Sequence, residues 1–167
     1  MTALADAAVE AAALADRGAE QELALLRAKW EEEVEHAARS SDFRERAVAY
    51  RAISQFRYRQ KIELLRRGLD DESPACRGSA LLSLELLSRD HPSVVNGVRP
   101  LLHEMVTHDG NDAVRRLAVM ALRNGSAQRD TIAILASVGE DDEAGRELRE
   151  AATKVSVALR RKAGPSK

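Results

Sequence analysis

Aromatic residues are scarce in this chain, 3% of its 167 residues, so its core must be built from alanine, leucine and valine rather than from large rings. Only four prolines and nine glycines occur, and most stand where a turn is plausible. One cysteine, Cys76, excludes an intramolecular disulfide framework and fits a reducing compartment. An excess of one charge is missing too. The net charge is −1 and the pI near 6.4, so no overall field draws nucleic acid or anionic lipid. No apolar run reaches about 18 residues, which leaves nothing expected to span a membrane. The amino terminus carries Asp6, Glu10 and Asp16 without a basic stretch and does not read as a secretory signal. A cytoplasmic protein without membrane attachment is expected.

What is abundant is helix-forming. Ala, Leu, Val, Arg and Glu dominate, and 32% of the residues are charged, which points to an all-α protein. Four segments of the chain are related: "FRERAVAYRAI" from Phe43, "CRGSALLSLELL" from Cys76, "VRRLAVMAL" from Val114 and "LREAATKVSVAL" from Leu148. Each opens with an arginine followed three residues later by alanine: Arg44/Ala47, Arg77/Ala80, Arg115/Ala118 and Arg149/Ala152. Successive arginines stand 33, 38 and 34 residues apart. Three are preceded at six residues by an acid, namely Asp71, Asp109 and Glu143, in turn-like stretches. Another apolar helical segment comes before each turn: "KIELLRRGL", "VRPLLHEMV" and "TIAILASV". The unit is helix, acidic turn, helix, and this period marks a stack of helix pairs.

That unit resembles a HEAT-like repeat. The resemblance implies a right-handed α-solenoid of stacked antiparallel helix pairs, with the acid and the arginine fixing the turn and the contact between neighbouring repeats. Those roles fall on Asp71/Arg77, Asp109/Arg115 and Glu143/Arg149. Pro100, inside the first helix of its unit, also resembles a proline frequent in the family. Six residues before Arg44 stands Ala38, so the first unit departs from the pattern and reads as a cap. The expected organisation is a helical cap or extension over residues 1–40, a HEAT-like solenoid over 41–163 and a tail over 164–167.

Local signals agree with this plan. The alanine three residues into each second helix permits close backbone approach, while Leu84, Leu87, Leu122, Val155 and Leu159 supply a stripe to bury. Asp42 with Glu45 has capping-box spacing, Asp112 is placed to cap a helix from Ala113, and Ser93 after Pro92 gives another start. Residues 3–39 read as helix with a break near Gly18. Leu4, Ala8, Ala11 and Ala15 share one face; Leu23, Leu26, Trp30, Val34 and Ala37 continue the stripe. These helices either cover the end of the solenoid or are exchanged with a second copy, which allows a homodimer through them.

Charge is unevenly placed. Residues 1–35 carry nine acids and three bases, whereas 43–67 carry eight bases and two acids, and all five aromatics lie between Trp30 and Tyr58. Three readings of "RERAVAYRAISQFRYRQK" stay open. The acidic amino-terminal helices could pair with the basic segment and the aromatics fill that interface. Arg46, Tyr50, Arg51, Arg57, Tyr58 and Arg59 could instead bind a protein partner with an acidic or helical epitope, since Tyr and Arg are favoured anchors. Nucleic acid could use the same residues, against the neutral overall charge.

Catalytic chemistry has little to stand on. His103 and His108 are five residues apart, off a common helix face, and lack the flanking ligands of a metal motif. "EDDEAG" lacks the alternating ligands of a calcium loop and reads as charge facing a helix N-terminus. Cys76 has no base beside it in sequence and reads as a small buried residue. HEAT-like repeats also occur in lyases that attach bilins to phycobiliproteins, but nothing here marks a chromophore site. The expected function is non-catalytic: a protein-interaction scaffold or adaptor without cofactor or metal.

Overall fold

The computed structural model describes residues 3–165; Met1 and Thr2 of the expected cap, and Ser166 and Lys167 of the expected tail, lie outside the described residues. Ten α-helices and one short 3-10 turn occur among the described residues, and no strand. The helices are α1 Ala3–Asp16, α2 Glu20–Ala38, α3 Phe43–Gln55, α4 Ile62–Leu69, α5 Pro74–Ser88, α6 Ser93–Asn96, α7 Arg99–His108, α8 Asp112–Leu122, α9 Arg129–Gly139 and α10 Arg146–Ala163. The all-α class and the HEAT-like pairing of helices both hold. The chain divides into two compact units, Met1–Leu87 and Ser88–Lys167.

In the first unit α1 and α2 fold back on each other at Gly18, whose φ of 69° is the left-handed conformation that a side chain would strain. Both helices pack on α3. α1 buries Leu4, Ala7, Ala8, Ala11 and Leu14, a face of mostly small residues that brings backbones close but removes little apolar area per residue. α2 buries Leu23, Val34 and Ala38 and leaves Leu26, Trp30 and Ala37 of its apolar stripe half-exposed. α5 returns onto α3: the Ser83 hydroxyl donates to the Tyr50 carbonyl, and the Cys76 thiol to that of Phe43, 3.2 Å away.

In the second unit α7 packs on α8 and α9 on α10, with α8 also against α10 and α7 against α9. First helices meet first helices and second helices meet second, the arrangement of stacked pairs. The expected stripe is internal throughout the chain: Leu84, Leu87, Leu122, Val155 and Leu159 are all buried. Pro100 does not lie inside one continuous first helix. Its ring would clash with the carbonyl four residues back, that of Asn96, so α6 ends there and α7 begins at Arg99 with Pro100 in its first turn.

The arginine register needs one correction. Ala80, Ala118 and Ala152 are fully buried, but Ala47 is not; the buried alanine of α3 that stands three residues after an arginine is Ala49. The first repeat arginine is therefore Arg46, two residues beyond Arg44, and the interval to Arg77 is 31 residues. Hydrogen bonds agree. Arg46 Nη1 donates to the carbonyls of Ser40 (3.0 Å) and Ser41 (3.2 Å), and Arg77 Nη1 to those of Asp71 (2.9 Å) and Glu72 (3.2 Å), six and five residues back in both cases. Arg44 instead lies exposed against Asp42 at 3.2 Å.

The turns themselves repeat. Ser40 Oγ accepts from the Asp42 amide, Asp71 Oδ1 from Ser73, Asp109 Oδ1 from Asn111 and Asp141 Oδ1 from Glu143, each two residues on. Such side-chain-to-backbone bonds turn the chain and satisfy an amide that no helix reaches. The fourth turn acid is thus Asp141, not Glu143, because the loop between α9 and α10 is longer than the others. Asn111, not Asp112, caps α8 by accepting from Val114 at 3.1 Å. Asp42 caps α3 through the Arg44 amide at 2.9 Å rather than through that of Glu45.

Candidate functional site

The basic segment from Phe43 is not one surface. Helix α3 stops at Gln55, and Arg57 takes a left-handed conformation with φ 61°. Its amide donates to Ser54 and that of Tyr58 to Ile53, which closes the helix as a glycine ordinarily would. This reversal drives the following side chains inward. Tyr58 is 1% exposed, stacks on buried Phe56 at 5.3 Å between ring centres, and donates its hydroxyl to the Arg27 carbonyl of α2. Tyr50 is 3% exposed. Burial raises both phenols above their ordinary range.

The arginines of the segment are mostly taken up inside the fold. Arg46 forms a two-pronged ion pair with Asp71, Nε to Oδ2 at 2.8 Å and Nη2 to Oδ1 at 3.0 Å, with side chains 13% and 8% exposed. Arg46 holds the Asp71 carboxyl below its usual range, against the opposing effect of burial, and Asp71 in turn raises Arg46. Arg51 donates to the Ser54 hydroxyl at 2.6 Å, and burial lowers its guanidinium. Arg57 donates to the Ser54 carbonyl and lies 3.7 Å from Asp16 of α1. Lys61, 7% exposed, sits between Glu35 (2.7 Å) and Glu31 (3.1 Å) of α2 and 5.5 Å from the Tyr58 ring centre. Burial works to lower its ammonium, and the bonds from Glu35 and Glu31 override it, leaving the group raised.

Of the six residues expected to meet a partner, Arg46, Tyr50 and Tyr58 are internal, Arg51 and Arg57 are half-buried and bonded to Ser54, and Arg59 alone is exposed. The expected anchor surface is corrected accordingly. Asp16 of α1 and Glu31 and Glu35 of α2 pair with Arg57 and Lys61 of the segment, and Phe56 and Tyr58 are buried beside them. Neither tyrosine is open to stack on a base.

The turn residues of the repeats do different work from one another. Asp71 reaches across to Arg46 of the preceding helix pair, while Arg77 fastens the turn carbonyls. Arg115 Nε donates to the Val106 carbonyl at 2.7 Å, and its Nη1 lies 3.5 Å from Asp112. Arg149 points to Asp142 at 4.0 Å, and Glu143 is exposed. Asp112 also accepts from the Gly145 amide at 3.2 Å, linking the α8 turn to that of α10.

The first unit has a cleft of about 430 Å³ where the start of α1, the last turns of α2 and the start of α3 meet. Leu4, Trp30, Ala37 and Val48 form its apolar wall, with Glu33, His36 and Glu45 around them. Trp30 and Ala37 are two of the three members of the α2 stripe that the fold leaves half-exposed, legible in the sequence only as part of that stripe. Glu31 and Glu35 hold Lys61, and Glu20 faces Arg27 at 3.7 Å, but Glu33 and Glu45 have no ion-pair partner among the described residues. A larger recess in the second unit, about 520 Å³, is lined by Gly139, Arg146, Arg149, Glu150, Thr153 and Lys154. Arg146 is held there by Glu150 at 2.9 Å.

Among the described residues no three or more His, Cys, Asp or Glu side chains gather as metal ligands. His103 bonds Thr131 at 2.8 Å and is lowered by burial, while His108 faces Glu104 at 3.1 Å. Burial raises the Cys76 thiol. No described helix is long and apolar enough to cross a membrane.

Helix pairs closed by an acid-bearing turn and an arginine three residues before a buried alanine define an α-helical repeat protein. The family model for HEAT repeats matches residues 31–123, a span that takes in the turns of Arg46, Arg77 and Arg115, and the chain belongs to this family. No curated protein and no solved structure gives a significant match.

Proposed function

We propose that the chain is a non-catalytic scaffold or adaptor that binds a partner protein, and that the cleft between α1, α2 and α3 is its contact site. HEAT repeats are commonly protein-interaction scaffolds, which supports the class of function. The observation that carries the assignment of the site is the contrast in pairing: the charges of Lys61 and Arg46 are matched within the fold, whereas Glu33 and Glu45, beside an apolar wall, have no ion-pair partner among the described residues. A half-buried tryptophan at such a place is the residue type most favoured as an interface anchor. The helices that hold the wall are themselves packed on α3, so a partner meets an ordered surface.

The test is affinity capture from a native lysate with the intact chain, with Val48→Arg and with Arg59→Glu. The cleft reading expects captured proteins to be lost with Val48→Arg and kept with Arg59→Glu, both variants melting near the parent. Equal capture by Val48→Arg and the parent, or loss with Arg59→Glu alone, would overturn it.

A further inference from the structure

Resting on the reading of the cleft as a contact site, the geometry points to one class of occupant: a cationic amphipathic segment of a partner protein, its apolar side chains on Leu4, Trp30 and Val48 and its lysines or arginines on Glu33 and Glu45. The argument is charge complementarity beside an apolar wall. Carboxylates left without a partner at the edge of a nonpolar recess favour a cation whose stem lies along that recess, because the stem removes apolar area while the head stays at the carboxylates. An acidic segment would bring like charge to Glu33 and Glu45. A purely apolar one would desolvate both carboxylates without return.

The indole itself is partly engaged already, with Lys29 Nζ 5.9 Å from its ring centre. The cation of the partner therefore goes to the two carboxylates, and the indole receives apolar atoms. A cleft of about 430 Å³ falls within the range of about 300–1,000 Å³ usual for small-molecule pockets, so it takes a few side chains of a docked segment rather than a whole fold. The occupant is opposite in sign to the acidic epitope expected from residues 43–67, where Arg46 and Arg57 are paired with Asp71 and Asp16 and Arg51 is bonded to Ser54.

Trp30 is the only tryptophan of the chain, so its fluorescence reports the cleft directly. The probe is a synthetic peptide of about 15 residues, Lys, Leu and Ala in amphipathic helical order, long enough to hold a helix, with a twin carrying Glu for Lys. Titration of the full chain with the Lys peptide should give a saturable Trp30 shift, and the Glu twin none. Glu33→Gln with Glu45→Gln should weaken binding about tenfold or more. Glu22→Gln with Glu32→Gln, the same change of charge on the exposed face of α2 outside the cleft, should weaken it less than about twofold. No saturable response, an equal response to the Glu twin, or equal weakening by both double variants would overturn the inference. If the peptide fails while Val48→Arg still loses its lysate partners, the contact site stands and the partner chemistry falls. If Val48→Arg loses nothing, the site itself falls.

Discussion

Removing the carboxylate of Asp71 should destabilise the first unit through two separable losses. Asp71 takes both prongs of Arg46 at 2.8 and 3.0 Å and also holds the Ser73 amide at 2.9 Å. Arg46 would keep the carbonyls of Ser40 and Ser41 and a looser approach of 3.9 Å to the exposed Glu72, its charge largely out of water at 13% exposure. Breaking a fully buried pair from one side costs about 3–5 kcal/mol. Since this pair reaches the edge of the unit, Asp71→Ala should cost about 2–3 kcal/mol, and Asp71→Asn, which keeps the Ser73 bond, about 1–2 kcal/mol. Urea unfolding followed by far-UV circular dichroism measures both. A cycle with Arg46→Met should give a coupling of about 1–2 kcal/mol. The pH dependence carries its own sign. Because Arg46 depresses Asp71, the contribution is fully present above the ordinary carboxylate value near 4 and is lost as pH falls through the lower folded value. The difference between the parent and Asp71→Asn should therefore be flat from about pH 5 upward and shrink below about pH 4. A cost of Asp71→Ala under about 0.5 kcal/mol, as for exposed pairs, would refute the claim that this pair fixes α3 to the turn before α5.

Gly68 lies where an added Cβ would stand 2.9 Å from Ala80 Cβ and 3.1 Å from the Tyr50 ring, so Gly68→Ala should cost about 1–3 kcal/mol and lower the melting temperature. Tyr58→Phe removes the bond to the Arg27 carbonyl and should cost about 1–2 kcal/mol in the same assay. Because burial raises the Tyr58 phenol, its contribution is complete below the ordinary value near 10 and fades above it, so the parent should lose stability above about pH 10 more steeply than Tyr58→Phe. Asp141→Ala should cost about 1 kcal/mol through the Glu143 amide, and Glu143→Ala should stay within about 0.5 kcal/mol; the reverse order would restore Glu143 as the turn acid.

The helix pairs were legible because their requirements are local in sequence. An arginine that reaches back to a turn, and an alanine one turn later where backbones meet, recur at fixed spacing whatever the partner does. The same motif misled at its first copy. Arg44/Ala47 and Arg46/Ala49 overlap, and the burial of Ala49 and the bonds of Arg46 to the turn carbonyls distinguish them. The missing acid before Arg44 was a clue: six residues before Arg46 stands Ser40, which makes the same turn as the acids do. At the last copy two extra loop residues separated the spacing from the chemistry, and Asp141 held the role assigned to Glu143. Arg57 gave no warning that α3 ends at Gln55, because a glycine usually marks a left-handed helix end and here an arginine takes it. The candidate site was the least legible. Whether Tyr50, Tyr58 and Lys61 face water depends on α2 and α5, tens of residues away in sequence, and periodicity carries no record of that.

A cluster of bases in a sequence therefore says less about a partner than the same cluster after its internal pairs are removed. From residues 43–67, subtraction takes away Lys61 to Glu31 and Glu35, Arg46 to Asp71, and Arg57 to Asp16. Reversing the charge of Arg46 and Arg51 would then strike part-buried bonds to Asp71 and Ser54 inside the fold. Such a variant would abolish binding by unfolding the first unit, and a capture experiment alone would misread that loss as recognition. The same subtraction applied to α2 removes Glu20, Glu31 and Glu35 and leaves Glu22, Glu32 and Glu33, of which Glu33 lines the cleft together with Trp30 and with Glu45 of α3. What is left over after pairing, rather than what is most abundant, is where a partner has free energy to gain.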